Sequence, residues 1–137
     1  MCHGLPAREC TARMAVLQLT EFKMKIEKSS NIKKTKVIAD GAKDVEIRWL
    51  ISKEDGAENF AMRMFEIQPG GHTPLHTHPH EHEIFIVEGK GVLVFEGKEH
   101  KFAAEHTIFV PGGKEHQFKN TGNSLLRLLC LIPASAV

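Results

Sequence analysis

Cysteine is scarce in this chain of 137 residues, which holds only Cys2, Cys10 and Cys130. Three thiols make no disulfide framework, so a reducing cytoplasm is the default compartment. Long apolar runs are missing as well. Nothing approaches the about 20 consecutive apolar residues of a membrane helix, and Ala15-Val16-Leu17 gives way to Gln18, too short for a secretory core. Neither sign of charge is in excess. A formal net charge of +1 argues against a nucleic-acid partner, because binding a polyanion calls for a basic patch. Lys33, Lys34 and Lys36 form a short basic run that reads as a solvated edge. No glycine-rich segment opens a helix, so no flavin, nicotinamide or phosphate-binding loop is visible. What remains is an ordinary composition, 42% apolar and 26% charged, in a length that fits one domain with its own core.

The first 13 residues read as irregular, with Gly4 and Pro6 breaking any pattern, and Met14 and Met24 each begin plausible sequence. Residues 14–28 fit a short helix or an edge strand equally well. Cys2, His3 and Cys10 could bind a soft metal, although a terminal segment offers little preorganisation. The expected division is an N-terminal extension and edge segment over 1–36 and a β domain over 37–137. From Val37 onward, short strands alternate with turns. Val45 to Ile51 is one strand, and Phe60 to Ile67 is a second, stopped by Pro69-Gly70-Gly71. Glu83 to Val87 is a third. Val92 to Phe95 lies between hairpin turns at Glu88-Gly89-Lys90-Gly91 and Glu96-Gly97-Lys98, and Thr107 to Val110, His116 to Phe118 and Leu125 to Ile132 follow. Many short strands, glycine turns and no long helix predict an all-β antiparallel sandwich or barrel. The last strand is apolar on both faces through Leu125, Leu126, Leu128, Leu129, Leu131 and Ile132. One face enters the core; the other needs a second cover, either the N-terminal segment or another subunit.

The histidines carry the chemistry. His76, His78 and His82 are separated by even steps, so in an extended chain all three aim to one side, and His116 follows in a second cluster, Pro111-Gly112-Gly113-Lys114-Glu115-His116. Neutral imidazole is the commonest transition-metal ligand, and three or four on one face read as a metal site; the alternative is a His-rich surface loop. His80 follows Pro79 and is expected at the cavity mouth, and His72 in a loop before the strand. His100 and His106 carry no signal. Glu83 is an odd step from His82 and should point away. Glu81 and Glu115 read as exposed acids, or else as groups that steady the ligand imidazoles or carry protons. Phe118 shares the parity of His116, and Ile84 and Ile86 that of His82, so they are expected on the cavity side, either as an apolar floor or as plain core. Phe109 and Met64 are weaker candidates for the same wall.

These clusters resemble the two motifs of the cupin superfamily. Gly70, the His76/His78 pair, Glu83 and Gly89 fall close to the first motif, and Pro111, Gly113, His116 and Asn120 match the second, whose leading glycine is Glu105 here. The resemblance covers about half of the chain. It implies a double-stranded β-helix, or jelly roll, and a homodimer built by sheet-to-sheet contact. Many cupins have a carboxylate ligand four residues after the second histidine. Here that position is His82, so the chain looks like the four-histidine branch of small single-domain cupins.

Four neutral imidazoles leave the charge of a divalent ion uncompensated, and such a site attracts an anionic oxygen. The donor set suits Fe, Cu, Ni or Zn, suits Mn less, and suits Mg or Ca poorly. Similarity to quercetin- and acireductone-type cupin dioxygenases implies a metal-dependent oxygenase acting on a small enolic, phenolic or carboxylate compound. A metal-dependent binding or sensing module without turnover is the alternative. Isomerase or decarboxylase activity is a third option, weakened because no buried acid/base pair is written in the sequence.

Overall fold

Alternating apolar side chains, turned over at left-handed glycines, wind this chain into one curled sheet. The computed structural model describes residues 23–137. Expectations for Cys2, His3 and Cys10, and for residues 14–22, lie outside them. Residues 23–28 form neither helix nor strand, and a 3-10 turn, Ser29–Asn31, follows. Nine strands succeed it: β1 (Lys34–Lys36), β2 (Lys43–Ile51), β3 (Phe60–His72), β4 (His82–Glu88), β5 (Lys90–Phe95), β6 (Lys98–Ala103), β7 (Thr107–Val110), β8 (His116–Lys119) and β9 (Leu126–Pro133). They run in the order β6-β5-β8-β3-β9-β4-β7, with β2 also on β3 and β1 on the outer edge of β2. All the pairings are antiparallel. This is the all-β double-stranded β-helix that the motifs imply, and the basic run lies on its exposed edge strand, β1.

Period two decides what is inside. Leu126, Leu128, Cys130 and Ile132 of β9 are buried and alternate with half-buried neighbours. They meet Ile67 of β3, Ile84 and Ile86 of β4, Val110 of β7 and Phe118 of β8 in one cluster. Full burial of each such aliphatic side chain stabilises by about 1.5–3 kcal/mol. The opposite face of β2 and β3 carries an ion pair, Arg48 Nε to Glu66 Oε2 at 2.9 Å. The Arg48 guanidinium also donates to the carbonyls of Ser29 and Ile32, so the segment before β1 caps that buried pair.

Two turn expectations need correction. Pro69-Gly70-Gly71 does not stop the strand; β3 runs on to His72. Gly70 adopts φ +81, bending the strand rather than ending it, and β3 exchanges β9 for β8, where His72 pairs with Lys119. His72 is therefore a strand residue, not a loop residue. Glu88-Gly89-Lys90-Gly91 is likewise no hairpin. The strands on either side have no ladder with each other: β4 pairs with β7 and β9, and β5 with β6 and β8. Gly89, at φ +89, is a corner where the chain crosses from one side of the roll to the other. A hairpin and a corner both call for positive φ, so the sequence signal is the same. Glu96-Gly97 is a true two-residue hairpin, joining Phe95 to Lys98 with φ values of 48° and 78°.

Candidate metal centre

His116 is the first residue of β8, and His76 pairs with it across an isolated bridge. The His76 N–H donates to the His116 carbonyl at 3.2 Å, and the His116 N–H donates to the His76 carbonyl at 3.0 Å. His78 follows in the loop, and its carbonyl accepts from the Gly113 N–H at 2.8 Å. The two histidine clusters thus hold each other. That contact explains the glycines: a Cβ on Gly112 would lie 2.1 Å from the Pro79 oxygen, and Gly113 has φ +77. His82 opens β4, facing inward.

One ligand atom from each of His76, His78, His82 and His116 lies within 4.8 Å of the others. His82 and His116 are buried, and His76 and His78 half-buried. Hydrogen bonds select the nitrogen that faces the pocket. His78 Nδ1 sits 2.8 Å from the His80 carbonyl, and His116 Nδ1 sits 2.8 Å from the Lys114 carbonyl. A carbonyl only accepts, so these bonds assign the protons to Nδ1 and leave the Nε2 lone pairs pointing inward. His78 Nε2 and His82 Nε2 approach to 2.6 Å. A separation that short places either a proton or a common cation between the two nitrogens, and the set of four imidazole donors fits a divalent transition ion. Burial, the Arg63 charge and the neighbouring imidazoles hold His82 down to about 2, and burial with the same kinds of neighbours holds His76 down to about 4. Burial likewise lowers His78 and His80. Neutral imidazoles are the form that binds metal.

The remaining expected residues divide cleanly. His80 lines the same cavity and stacks on His78, ring centroids 3.8 Å apart and planes 5° from parallel. Glu83, Glu81 and Glu115 are exposed and take no part in it. Phe118 lines the cavity, whereas Ile84 and Ile86 are plain core. Phe109 is 59% exposed, so it does not form the wall, and Met64 is buried on the other face of β3. Strand parity put Phe109 and Met64 a step wrong: Phe109 stands opposite Glu83, the outward position of β4.

Beside the histidines opens a cavity of about 330 Å³, walled by Ile47, Trp49, Phe65, Phe118, Leu128 and Ile132. Among the described residues no carboxylate lines it. Among those residues its one cation is Arg63, whose Nη2 lies 3.0 Å from Cys130 Sγ and 3.4 Å from His82 Nδ1, with Cys130 Sγ itself 2.8 Å from that nitrogen. The guanidinium lies over the Phe65 ring at 4.9 Å and the Trp49 ring at 5.6 Å. Sequence reasoning missed all four of these residues. The signal was there: Arg63 and Phe65 share the strand parity of buried Ala61 and Ile67, Cys130 that of Leu128 and Ile132, and Trp49 that of Val45 and Ile47.

A small jelly roll with a convergent histidine cluster at an apolar cavity is the class that the geometry defines. Residues 63–132 match the family model described as cupin domain, and the chain belongs to that family. A solved structure of a polyketide cyclase from Streptomyces resistomycificus superimposes with a TM-score of 0.78 at 35% identity, over 82% of this chain and 80% of that one. The oxalate-binding protein of Thermotoga maritima is 36% identical over 96 residues, 67% of this chain and 78% of its own length. A 1-methylthio-D-xylulose 5-phosphate methylsulfurylase of Rhodospirillum rubrum is 33% identical over 73 residues, 53% of this chain, and the match spans only 47% of that relative.

Proposed function

We propose that this cupin is a metal-dependent enzyme of the dioxygenase kind, acting on a small enolic or phenolic compound. The observation that carries the reading is the convergence of four imidazole nitrogens, with no carboxylate among the described residues, at an apolar cavity. His76, His78, His82 and His116 hold one divalent ion, among Fe, Cu, Ni, Zn and Mn, and leave its charge for the substrate oxygen to balance. Such an ion supplies Lewis acidity to an enol oxygen and, if redox-active, a route for electrons. Phe65, Phe118, Ile47 and Leu128 enclose the organic body and keep water from it, and His80 borders the site without ligating. The test is oxygen uptake by iron-loaded protein with a panel of enediols and catechols. Uptake matched to substrate loss is expected; none across the panel would count against the reading.

A second reading is redox-neutral cyclisation, favoured by the likeness to a polyketide cyclase and by the aromatic walls. Product formation by zinc-loaded protein without oxygen would select it. Saturable binding without turnover would instead select the non-catalytic module, for which the oxalate-binding relative is the precedent. A homodimer belongs to the proposal. Phe60, Met62, Phe85, Phe109, Leu129 and Leu131 share the outward face of β3, β9, β4 and β7, and a second copy covers it. Among the described residues no helix is long and apolar enough to cross a membrane; cytoplasmic residence is proposed from the cysteine usage.

A further inference from the structure

Arg63 stands apart from the other arginines among the described residues. Arg48 and Arg127 each pair with a carboxylate, Glu66 at 2.9 Å and Glu88 at 3.4 Å. Arg63 has no such partner among the described residues, although it lines an apolar cavity, where an uncompensated charge is costly. Its polar contacts run through Nη2 alone, and its Nε is buried with no hydrogen-bond partner. Phe65 and Trp49 fix the plane of the guanidinium. A planar fork with unspent donors, held rigid, matches a two-oxygen anion. Among the described residues no acid supplies one at this site.

We propose that Arg63 anchors a carboxylate of the substrate, so that the cavity takes a small aromatic or apolar carboxylic acid whose body lies against Phe65, Phe118 and Leu128. This rests on the reading of the cavity as the substrate site. At about 330 Å³ the cavity sits at the small end of ligand pockets, which suits a single-ring acid. Arg63 is then a specificity residue, and an uncharged analogue of the same shape loses the contact.

Trp49 is the chain's only tryptophan and shares the cavity with Arg63, so its fluorescence reports on occupancy. Benzoate and benzamide, equal in shape and different in charge, are titrated into wild type, Arg63→Met and Arg63→Lys, each zinc-loaded and chelator-treated. Wild type is expected to prefer benzoate by at least about tenfold, the scale of one charge-assisted bidentate contact. In the chelator-treated protein, where no ion attracts the carboxylate, Arg63→Met should reduce the preference to within about twofold. Arg63→Lys, which keeps the charge and loses the fork, should retain only part of it. A role confined to steadying His82 and Cys130 would change zinc content and leave the benzoate-to-benzamide ratio alone. Equal affinities in chelator-treated wild type, no measurable benzoate binding, or a preference that survives in chelator-treated Arg63→Met each overturn the proposal. The chelator-treated arm separates it from the metal reading: absence of bound zinc defeats that reading, while a benzoate preference in metal-free protein still supports Arg63.

Discussion

Cys130 Sγ sits 2.8 Å from His82 Nδ1, on the side of the imidazole away from His78. The thiol is buried, and burial pushes its pKa up, so it behaves as a neutral partner that steadies the ring. Cys130→Ala should lower zinc affinity by about tenfold, the usual cost of losing a group that orients a ligand. Cys130→Ser should be milder. Competition against a chelating dye measures both, and unchanged affinity in Cys130→Ala would remove Cys130 from the site.

Alanine at His76, His78, His82 or His116 should each reduce metal content after purification by at least about tenfold. His82→Glu should keep more metal than His82→Ala and shift preference toward Mn, a harder ion. Glu83→Gln should retain full content, because Glu83 points to solvent, and His80→Ala should too. Elemental analysis under one protocol compares them. Full content in His82→Ala with loss in Glu83→Gln would reverse the ligand assignment.

Acid should destabilise the metal-free protein in a defined direction. His82 and His76 are held at about 2 and about 4, below their ordinary 6.5. Between pH 6.5 and 4 the unfolded chain takes up protons that the folded pocket refuses, so stability falls as pH falls. Buried His82 alone sets a slope of up to about 1.4 kcal/mol per pH unit. Melting temperature in chelator should therefore drop from pH 7 to 5, and bound zinc should raise it at pH 7.5. A flat profile in chelator would contradict the depressed pKa values.

Glu105 has φ +72 and stands where the second family motif has glycine. Left-handed backbone costs an L-residue about 1–2 kcal/mol, partly offset in the swap by the greater freedom of unfolded glycine. Glu105→Gly should stabilise by about 0.5–1 kcal/mol in urea denaturation. Gly112→Ala should do the reverse, by about 1–3 kcal/mol, since its Cβ would strike the Pro79 oxygen, and it should also lower metal content.

Light scattering should give twice the chain mass of 15.3 kDa at micromolar concentration. Phe109→Lys, on the outward face beside Phe85, should shift it toward the monomer. A mass near 15.3 kDa for the unaltered chain would defeat the dimer.

The histidine cluster was legible in sequence because ligand chemistry restricts residue type, although strand parity does not explain it, since His76 lies in an isolated bridge and His78 in the loop before β4. Strand positions were legible too: alternation from Val45 to Trp49 and from Leu126 to Ile132 is what a half-buried strand requires. Partners were not. Gly89 and Pro69-Gly70-Gly71 satisfy the local needs of hairpin, stop and corner alike, and only the winding of the roll chooses among them. Arg63 escaped notice because an inward arginine looks, in one dimension, like any charged residue on a strand.

The two-way backbone pair between His76 and His116 has one more consequence. Both side chains hang from hydrogen bonds of the sheet itself, so their positions do not wait for an ion to gather them. An arriving ion closes a ring between segments that are already clasped, and little chain entropy remains for it to remove. Chelation should therefore empty this pocket and leave it standing, with the same histidines ready to refill.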